Sequence, residues 1–282
     1  MLLGAHLSIA GGVTKALELA EHFGFNTIAM FVRQHRQWRP SPTITDADAE
    51  LFRSMRRRLG LVRIVAHGTY LVNLAAEPEI RAKSIIATAD ELDRCGRLGI
   101  DYLNIHPGAC PDAQLGVQLV ADALNGLMAA CPHHELKLLL EQTAGQGHSL
   151  GGTFEQLAAM LARVEQPDRF GVCLDTCHMI AAGYDIRTKD TYEQVMSHFD
   201  RVIGLGRLCA IHVNDSKKGL RSHVDRHAHI GQGEIGLEGF ANFVNDPRLA
   251  QVPLILETPK ELTEDGQEWD AVNAKTLRDL AR

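Results

Sequence analysis

The chain has 282 residues, 45% of them hydrophobic and 23% charged, which is ordinary globular usage and excludes disordered, collagen-like and coiled-coil architectures. With 29 Lys and Arg against 35 Asp and Glu the formal charge is −6, so a globally basic nucleic-acid binder is excluded, and any such binding has to come from a local patch or from bound cations. No apolar run reaches the roughly 18–20 residues of a membrane span, no basic-then-apolar leader is visible, and the six cysteines form no Cys-x-x-Cys pair; a cytosolic protein with reduced thiols is expected.

In chain order the first strand is read at residues 2–6, ending in His6, and the second at 26–32. The stretch 33–42 that follows is longer than the usual connection of about 2–6 residues, and it interleaves Arg33, Arg36 and Arg39 with Gln34, Gln37 and Trp38. A third strand at 62–67 ends in His67, with Tyr70-Leu71 just beyond it. An amphipathic helix at 82–97 leads to strands at 102–106 and 136–141, a second helix at 154–163 to a strand at 170–175, and the last two strands fall at 208–213 and 252–257. The connection 214–236 is long and carries Lys217, Lys218, Arg221 and Arg226. No linker interrupts the alternation, so residues 1–282 are expected to form one α/β domain, a (β/α)8 TIM barrel with its functional loops at the C-terminal face of the strands. An open doubly wound sheet ranks lower, because Gly4-Ala5-His6-Leu7-Ser8 lacks the spaced glycines of a dinucleotide turn.

Six runs end, or nearly end, in a residue able to bind a metal: His67, His106, Glu141, Asp175, His212 and Glu257. In a barrel such ends converge on one mouth. His178, three residues after Asp175, and the pair Asp225 and His227 lie on connections at the same face, giving five His and four carboxylates. Nine N and O donors without thiolate suit about two or three Zn²⁺ ions with a carboxylate bridging two of them, and Mn²⁺ or Fe²⁺ fit the same donors. Displacement at phosphorus is the chemistry that uses such a cluster. Four carboxylates against three zinc ions leave about +2 at the mouth of an acidic protein, and the basic loops beside it are placed to track phosphates. From the residues alone Tyr70-Leu71 reads more simply as a buried pair. His6 suits either a supporting or a structural role, while Arg56-Arg57-Arg58, His22, His133-His134 and His198 read as surface.

Several segments together resemble the endonuclease IV family of zinc-dependent apurinic/apyrimidinic endonucleases: Arg36-Gln37-Trp38, Tyr70-Leu71-Val72-Asn73-Leu74, Asn104-Ile105-His106-Pro107-Gly108, Thr143-Ala144-Gly145-Gln146-Gly147, Cys173-Leu174-Asp175-Thr176-Cys177-His178, Asn214-Asp215-Ser216-Lys217 and Val224-Asp225-Arg226-His227. The resemblance implies three zinc sites. His67, His106 and Glu141 would hold the first, Glu141, Asp175, His212 and Glu257 the second with Glu141 bridging, and His178, Asp225 and His227 the third. It also implies that Glu141, Asp175 and Glu257 are the catalytic carboxylates, and that Arg36, Tyr70 and Leu71 enter the minor groove of a bent duplex, which revises the buried reading of Tyr70-Leu71. The expected reaction is hydrolysis of double-stranded DNA 5′ to an abasic site, leaving 3′-hydroxyl and 5′-deoxyribose phosphate ends, with removal of 3′-blocking groups, by a protein acting as a monomer. Two departures stand out, His67-Gly68 and Glu141-Gln142 where the family commonly shows His-Asp and Glu-Asn. The missing carboxylate at Gly68 is expected to alter support of the neighbouring zinc ligand and hence metal affinity. The rival readings are a sugar isomerase or epimerase with one or two metals, and a damage-binding protein that has lost catalysis.

Overall fold

A computed structural model describes residues 1–39 and 41–282, and each expected strand run carries a strand: β1 (Leu2–Leu7), β2 (Ala29–Phe31), β3 (Val65–His67), β4 (Tyr102–Ile105), β5 (Lys137–Glu141), β6 (Phe170–Asp175) and β7 (Leu208–His212), then β10 (Pro253–Leu256) after a short pair, β8 (Asp215–Ser216) and β9 (His227–Ala228). The eight long-run strands close in the order β1-β10-β7-β6-β5-β4-β3-β2, all neighbours parallel. The fold is the TIM barrel expected, and the pairing of β1 with β10 removes the open-sheet alternative. Around it run α1 (Lys15–Phe23), α2 (Asp46–Leu59), α3 (Pro78–Leu98), α4 (Ala113–Ala130), α5 (Phe154–Leu161), α6 (Thr176–Ala182), α7 (Lys189–Val202), α8 (Gly236–Val244) and α9 (Trp269–Leu280). Among the described residues no helix is long and apolar enough to cross a membrane, and the six cysteines are all free.

β2 and β3 are shorter than their apolar runs for local reasons. Arg63 adopts a left-handed backbone at φ 51°, which breaks the extended run before Val65. The chain entering β2 presses its Thr27 carbonyl so close to Gly4 that a Cβ there would stand 2.0 Å from the oxygen. The connection after β7 is not a plain loop. Asp215, fully buried, accepts backbone N–H bonds from Ser216, Gly231, Gly233 and Ile235, and so folds it into the β8–β9 hairpin.

Strand alternation sets the layers. A ring of inward side chains, Ala29, Val65, Tyr102, Leu139, Cys173, Ala210 and Ile255, fills the barrel interior, while the larger apolar cluster lies between strands and helices. Because side chains two apart share a face, the next inward positions toward the C-terminal mouth are Phe31, His67, Asn104, Glu141, Asp175, His212 and Glu257. The polar cluster therefore rests directly on a closed apolar floor.

Candidate metal centre

The inward ring places the donors of three groups within a few ångströms. His67 Nε2 and His106 Nε2 each lie 3.3 Å from Glu141 Oε2. The other oxygen of Glu141 lies 3.2 Å from His212 Nδ1, which is also 3.2 Å from Glu257 Oε2 and 3.9 Å from Asp175 Oδ2. Asp225 reaches His178 Nε2 at 3.2 Å with one oxygen and His227 Nε2 at 3.1 Å with the other. Asp175 Oδ2 stands 3.7 Å from His227 Nε2, so this carboxylate lies between the second and third groups rather than wholly in the second.

These separations fit divalent ions better than direct hydrogen bonds. Donors bound tetrahedrally at roughly 2.0–2.1 Å from zinc stand about 3.3–3.4 Å from one another, whereas charge-assisted N–H···O bonds shorten to about 2.7–2.9 Å. The ring orientations agree. The Nδ1–H groups of His67 and His178 donate to the carbonyls of Gly68 and Gln142 at 2.8 Å, and that of His227 to the carbonyl of Glu257 at 3.0 Å. Each ring then presents its Nε2 lone pair to a carboxylate, an arrangement that repels unless a cation or a proton lies between them. His227 Nε2 is buried and, among the described residues, makes no hydrogen bond despite its closeness to Asp225. The described donors fit zinc.

Electrostatics say the same. Burial opposes charge on His178, but the Asp175 charge and the Asp225 bond outweigh it and carry the imidazole up to about 10. His227 rises in the same way to about 9. Burial would raise Asp225 and Glu257, yet bonds to His178 and His227 in the first case, and the charge of His212 with the bond to His6 in the second, hold both well below the usual carboxylate range. Burial also pushes the thiols of Cys173 and Cys177, which border the cluster within 4.8 Å of its donors, up to about 12.

Support for the donors comes from residues that sequence reasoning did not single out as supports. Asn104 Nδ2 donates to Glu141 Oε2. Asn214, fully buried, donates through Nδ2 to Asp175 Oδ2 at 2.7 Å and accepts the Glu257 N–H at 2.8 Å, so one amide ties two strand ends together. The alternation of β4 was a signal for Asn104, which sits at the register of the ligand layer. His6 donates to Glu257 Oε1 at 2.8 Å, which decides between its two readings in favour of support. At Gly68 the backbone carbonyl holds His67. A Cβ at Gly68 would stand 2.7 Å from Ile105 Cγ2, so a side chain has no room here. Gln142 turns its side-chain amide to the Thr143 carbonyl, and its own carbonyl holds His178.

Around the donors the loops are wet. Arg36 is exposed, Tyr70 is 55% exposed and Leu71 is half-buried, so the simple reading of Tyr70-Leu71 as a buried pair is corrected. A polar surface of loops surrounds the Tyr70 ring, which stands 5.0 Å from the ring of His67 and 5.7 Å from that of Phe31; His35 stacks on the latter at 4.0 Å. Lys217, Lys218, Arg221 and Arg226 are exposed on the late loop, but Arg33, grouped with the phosphate-facing residues, is buried at 4% exposure and engaged with backbone carbonyls. His22 and His198 are surface residues paired with Glu268 and Glu155. A cleft of about 940 Å³ opens beside the donors, from His6, Tyr70, His227 and Glu257 to Arg36, Ile44 and Trp269.

Residues 17–277 match the family described as xylose isomerase-like TIM barrel. A probable endonuclease 4 of Geobacter sulfurreducens is 50% identical, covering 99% of this chain and 94% of its own length, and one of Trichlorobacter lovleyi is 48% identical over 99% of both. The chain belongs to the endonuclease IV family. The crystal structure of endonuclease IV from Thermus thermophilus superposes with a TM-score of 0.87 at 39% identity, covering 99% of this chain and 98% of that one. Within an endonuclease IV frame the buried donor ring and the exposed Tyr70 occupy one mouth.

Proposed function

We propose that this endonuclease IV homologue repairs DNA by hydrolysing the phosphodiester 5′ to an abasic site, leaving a 3′-hydroxyl and a 5′-deoxyribose phosphate, and that it removes 3′-blocking groups by the same reaction. The observation that carries the proposal is the set of three donor groups linked through Glu141 and Asp175 at distances suited to bridged ions. His67, His106 and Glu141 would hold one zinc, Glu141, Asp175, His212 and Glu257 a second, and His178, Asp225 and His227 a third. When bound, such ions acidify water and neutralise charge on phosphoryl and leaving oxygens. Glu141, Asp175 and Glu257 are the catalytic carboxylates in this reading, since they would hold the ions that neutralise charge on the scissile phosphate.

Arg36, Tyr70 and Leu71 enter the minor groove and hold the duplex open with the abasic sugar turned into the mouth. Lys217, Lys218, Arg221 and Arg226 supply positive charge for flanking phosphates. A sugar isomerase has no use for the His178–Asp225–His227 group or for an exposed Tyr70. A binding protein without catalysis has no need of nine intact donors.

The test is a duplex with a single tetrahydrofuran abasic analogue, which cannot undergo β-elimination, assayed with and without chelator and with its ends mapped. Chelator-sensitive cleavage yielding a 3′-hydroxyl 5′ to the lesion is expected. Absence of cleavage by protein carrying about three zinc ions per chain overturns the proposal and redirects it to small sugars.

A further inference from the structure

The two loops assigned to the duplex, 33–42 with Arg36 and 68–71 with Tyr70 and Leu71, have little regular structure of their own among the described residues 33–39, 41–42 and 68–71. Their backbone groups bond instead to side chains of one turn of α3 and to Arg33, which that turn holds through Asp90. Asp90 Oδ2 lies 3.3 Å from Arg33 Nη1, and Arg33 Nη2 donates to the carbonyls of Gln37, Trp38 and Arg39 at 3.5, 3.4 and 3.1 Å. Arg94 binds Asp90 at 3.0 Å and donates to the carbonyls of Ser41 and Pro42, both at 2.9 Å. Glu91 Oε1 accepts the Thr69 N–H at 2.8 Å, and Thr69 Oγ1 donates to the His35 carbonyl at 2.5 Å, joining the two loops to each other.

Three of these ionisable groups are taken out of water, with Glu91 at 0%, Arg33 at 4% and Arg94 at 6% exposure. Burying charge is costly unless the groups are paired and hydrogen-bonded. Here the pairing is spent on loop backbone, and none of the three bonds a metal donor among the described residues. Glu91 Oε2 has no hydrogen-bond partner among the described residues and faces Gly68, where a Cβ would stand 3.3 Å from it. The absent side chain at position 68 and the buried carboxyl at 91 therefore belong to one arrangement.

We infer that Asp90, Glu91 and Arg94 are positioning residues that fix the Arg36 and Tyr70-Leu71 loops before duplex DNA arrives, with Glu91 setting the loop of Tyr70. The inference rests on the reading of this mouth as one that grips a duplex. Loops ordered in advance do not incur their ordering cost on binding. Loss of the device therefore appears in KM and in duplex affinity, while hydrolysis at the donor cluster proceeds.

The experiment compares zinc-loaded wild type, Glu91→Ala, Glu91→Gln and Thr69→Val on the tetrahydrofuran duplex and on bis-p-nitrophenyl phosphate, a small diester that needs no loop, with zinc per chain measured in parallel. Glu91→Ala is expected to raise KM for the duplex about tenfold, with kcat, zinc content and small-diester turnover near wild type. Glu91→Gln keeps an acceptor for the Thr69 N–H and restores KM. Thr69→Val, which loses one hydroxyl and keeps the shape, raises KM in the same direction and carries the test if Glu91→Ala fails to fold. Unchanged KM in the folded variants overturns the inference, as does a fall in zinc content and small-diester turnover that parallels the loss on the duplex. If wild type turns over the small diester but neither binds nor cleaves the duplex, the functional reading itself has failed; if wild type cleaves and Tyr70→Ala raises KM while Glu91→Ala and Thr69→Val do not, only the inference has.

Discussion

On one side of the mouth, His67, Glu141, Asp175, His212 and Glu257 stand at strand ends, one inward step above a closed apolar ring, and buried amides and carbonyls fix their orientation. On the other side, Arg36 and Tyr70 stand on connections that are bonded by side chains of α3 and, within the first loop, by Arg33. The first region cannot shift without moving the barrel. The second is held by a few side-chain bonds that single substitutions remove one at a time. Damage to the strand-end region should therefore be nearly all-or-none and seen with every substrate, and damage to the loop region graded and confined to duplex substrates.

The sharpest break is Glu141→Ala. Both carboxylate oxygens are in use, one toward His67 and His106 and the other toward His212. Loss of this one side chain removes donors from two groups at once. Duplex cleavage and small-diester turnover are expected to fall together by roughly a thousandfold or more, the scale of lost charge stabilisation at a reacting centre, with bound zinc measured by atomic emission falling below half of wild type. Full zinc content in the folded variant would show that Glu141 does not bridge.

A smaller and more selective effect is expected from Asn214→Ala. It leaves every donor in place but frees Asp175 from one bond and the Glu257 backbone from another. Supporting bonds of this type are worth about 10–100-fold in metal affinity. Chelator competition should reveal a loss of that size, and excess zinc should restore most of the activity. A variant that resists chelator as well as wild type would shift the support of Asp175 to its bond with the His178 backbone.

The donor side is almost fully legible in the sequence. Polar residues closing Ile/Leu/Val runs stand out, and a parallel barrel leaves them one place to meet, which is what marks His67, His106, Glu141, Asp175, His212 and Glu257. Their supports are harder to see. Asn104 and Asn214 have ordinary amides whose partners lie 37 and 39 residues away; the alternation of β4 gives the place of the first, and no local pattern marks the second. At Gly68 a backbone carbonyl bonds His67, a contact that residue type does not reveal. On the loop side, Arg33 resembles its exposed neighbours, and Asp90, Glu91 and Arg94 resemble the charged face of an amphipathic helix. Only the path of the 33–42 loop over α3 turns that face inward.

The finest test of the loop region is a pH profile of stability. Burial pushes the Glu91 carboxyl up to about 7, against the opposing Thr69 N–H bond and the charge of Arg33. In the unfolded chain the same group titrates near its ordinary value of 4.5. Between those two values the folded protein holds more protons than the unfolded one, so this group makes stability fall as pH rises through the window, by at most about 1.4 kcal/mol for each pH unit. Below the window the contribution is constant, and above it the full penalty is present. Glu91→Gln has no proton to lose. The difference in unfolding midpoint between Glu91→Gln and wild type, both stripped of metal so that the donor histidines contribute equally, should widen in favour of the glutamine from pH 5 to pH 7 and then level off. Parallel profiles would mean that Glu91 is ionised throughout and that Arg33 alone balances its burial, in which case the loop of Tyr70 is held by a charged anchor rather than by a carboxyl that gives up its proton near neutrality.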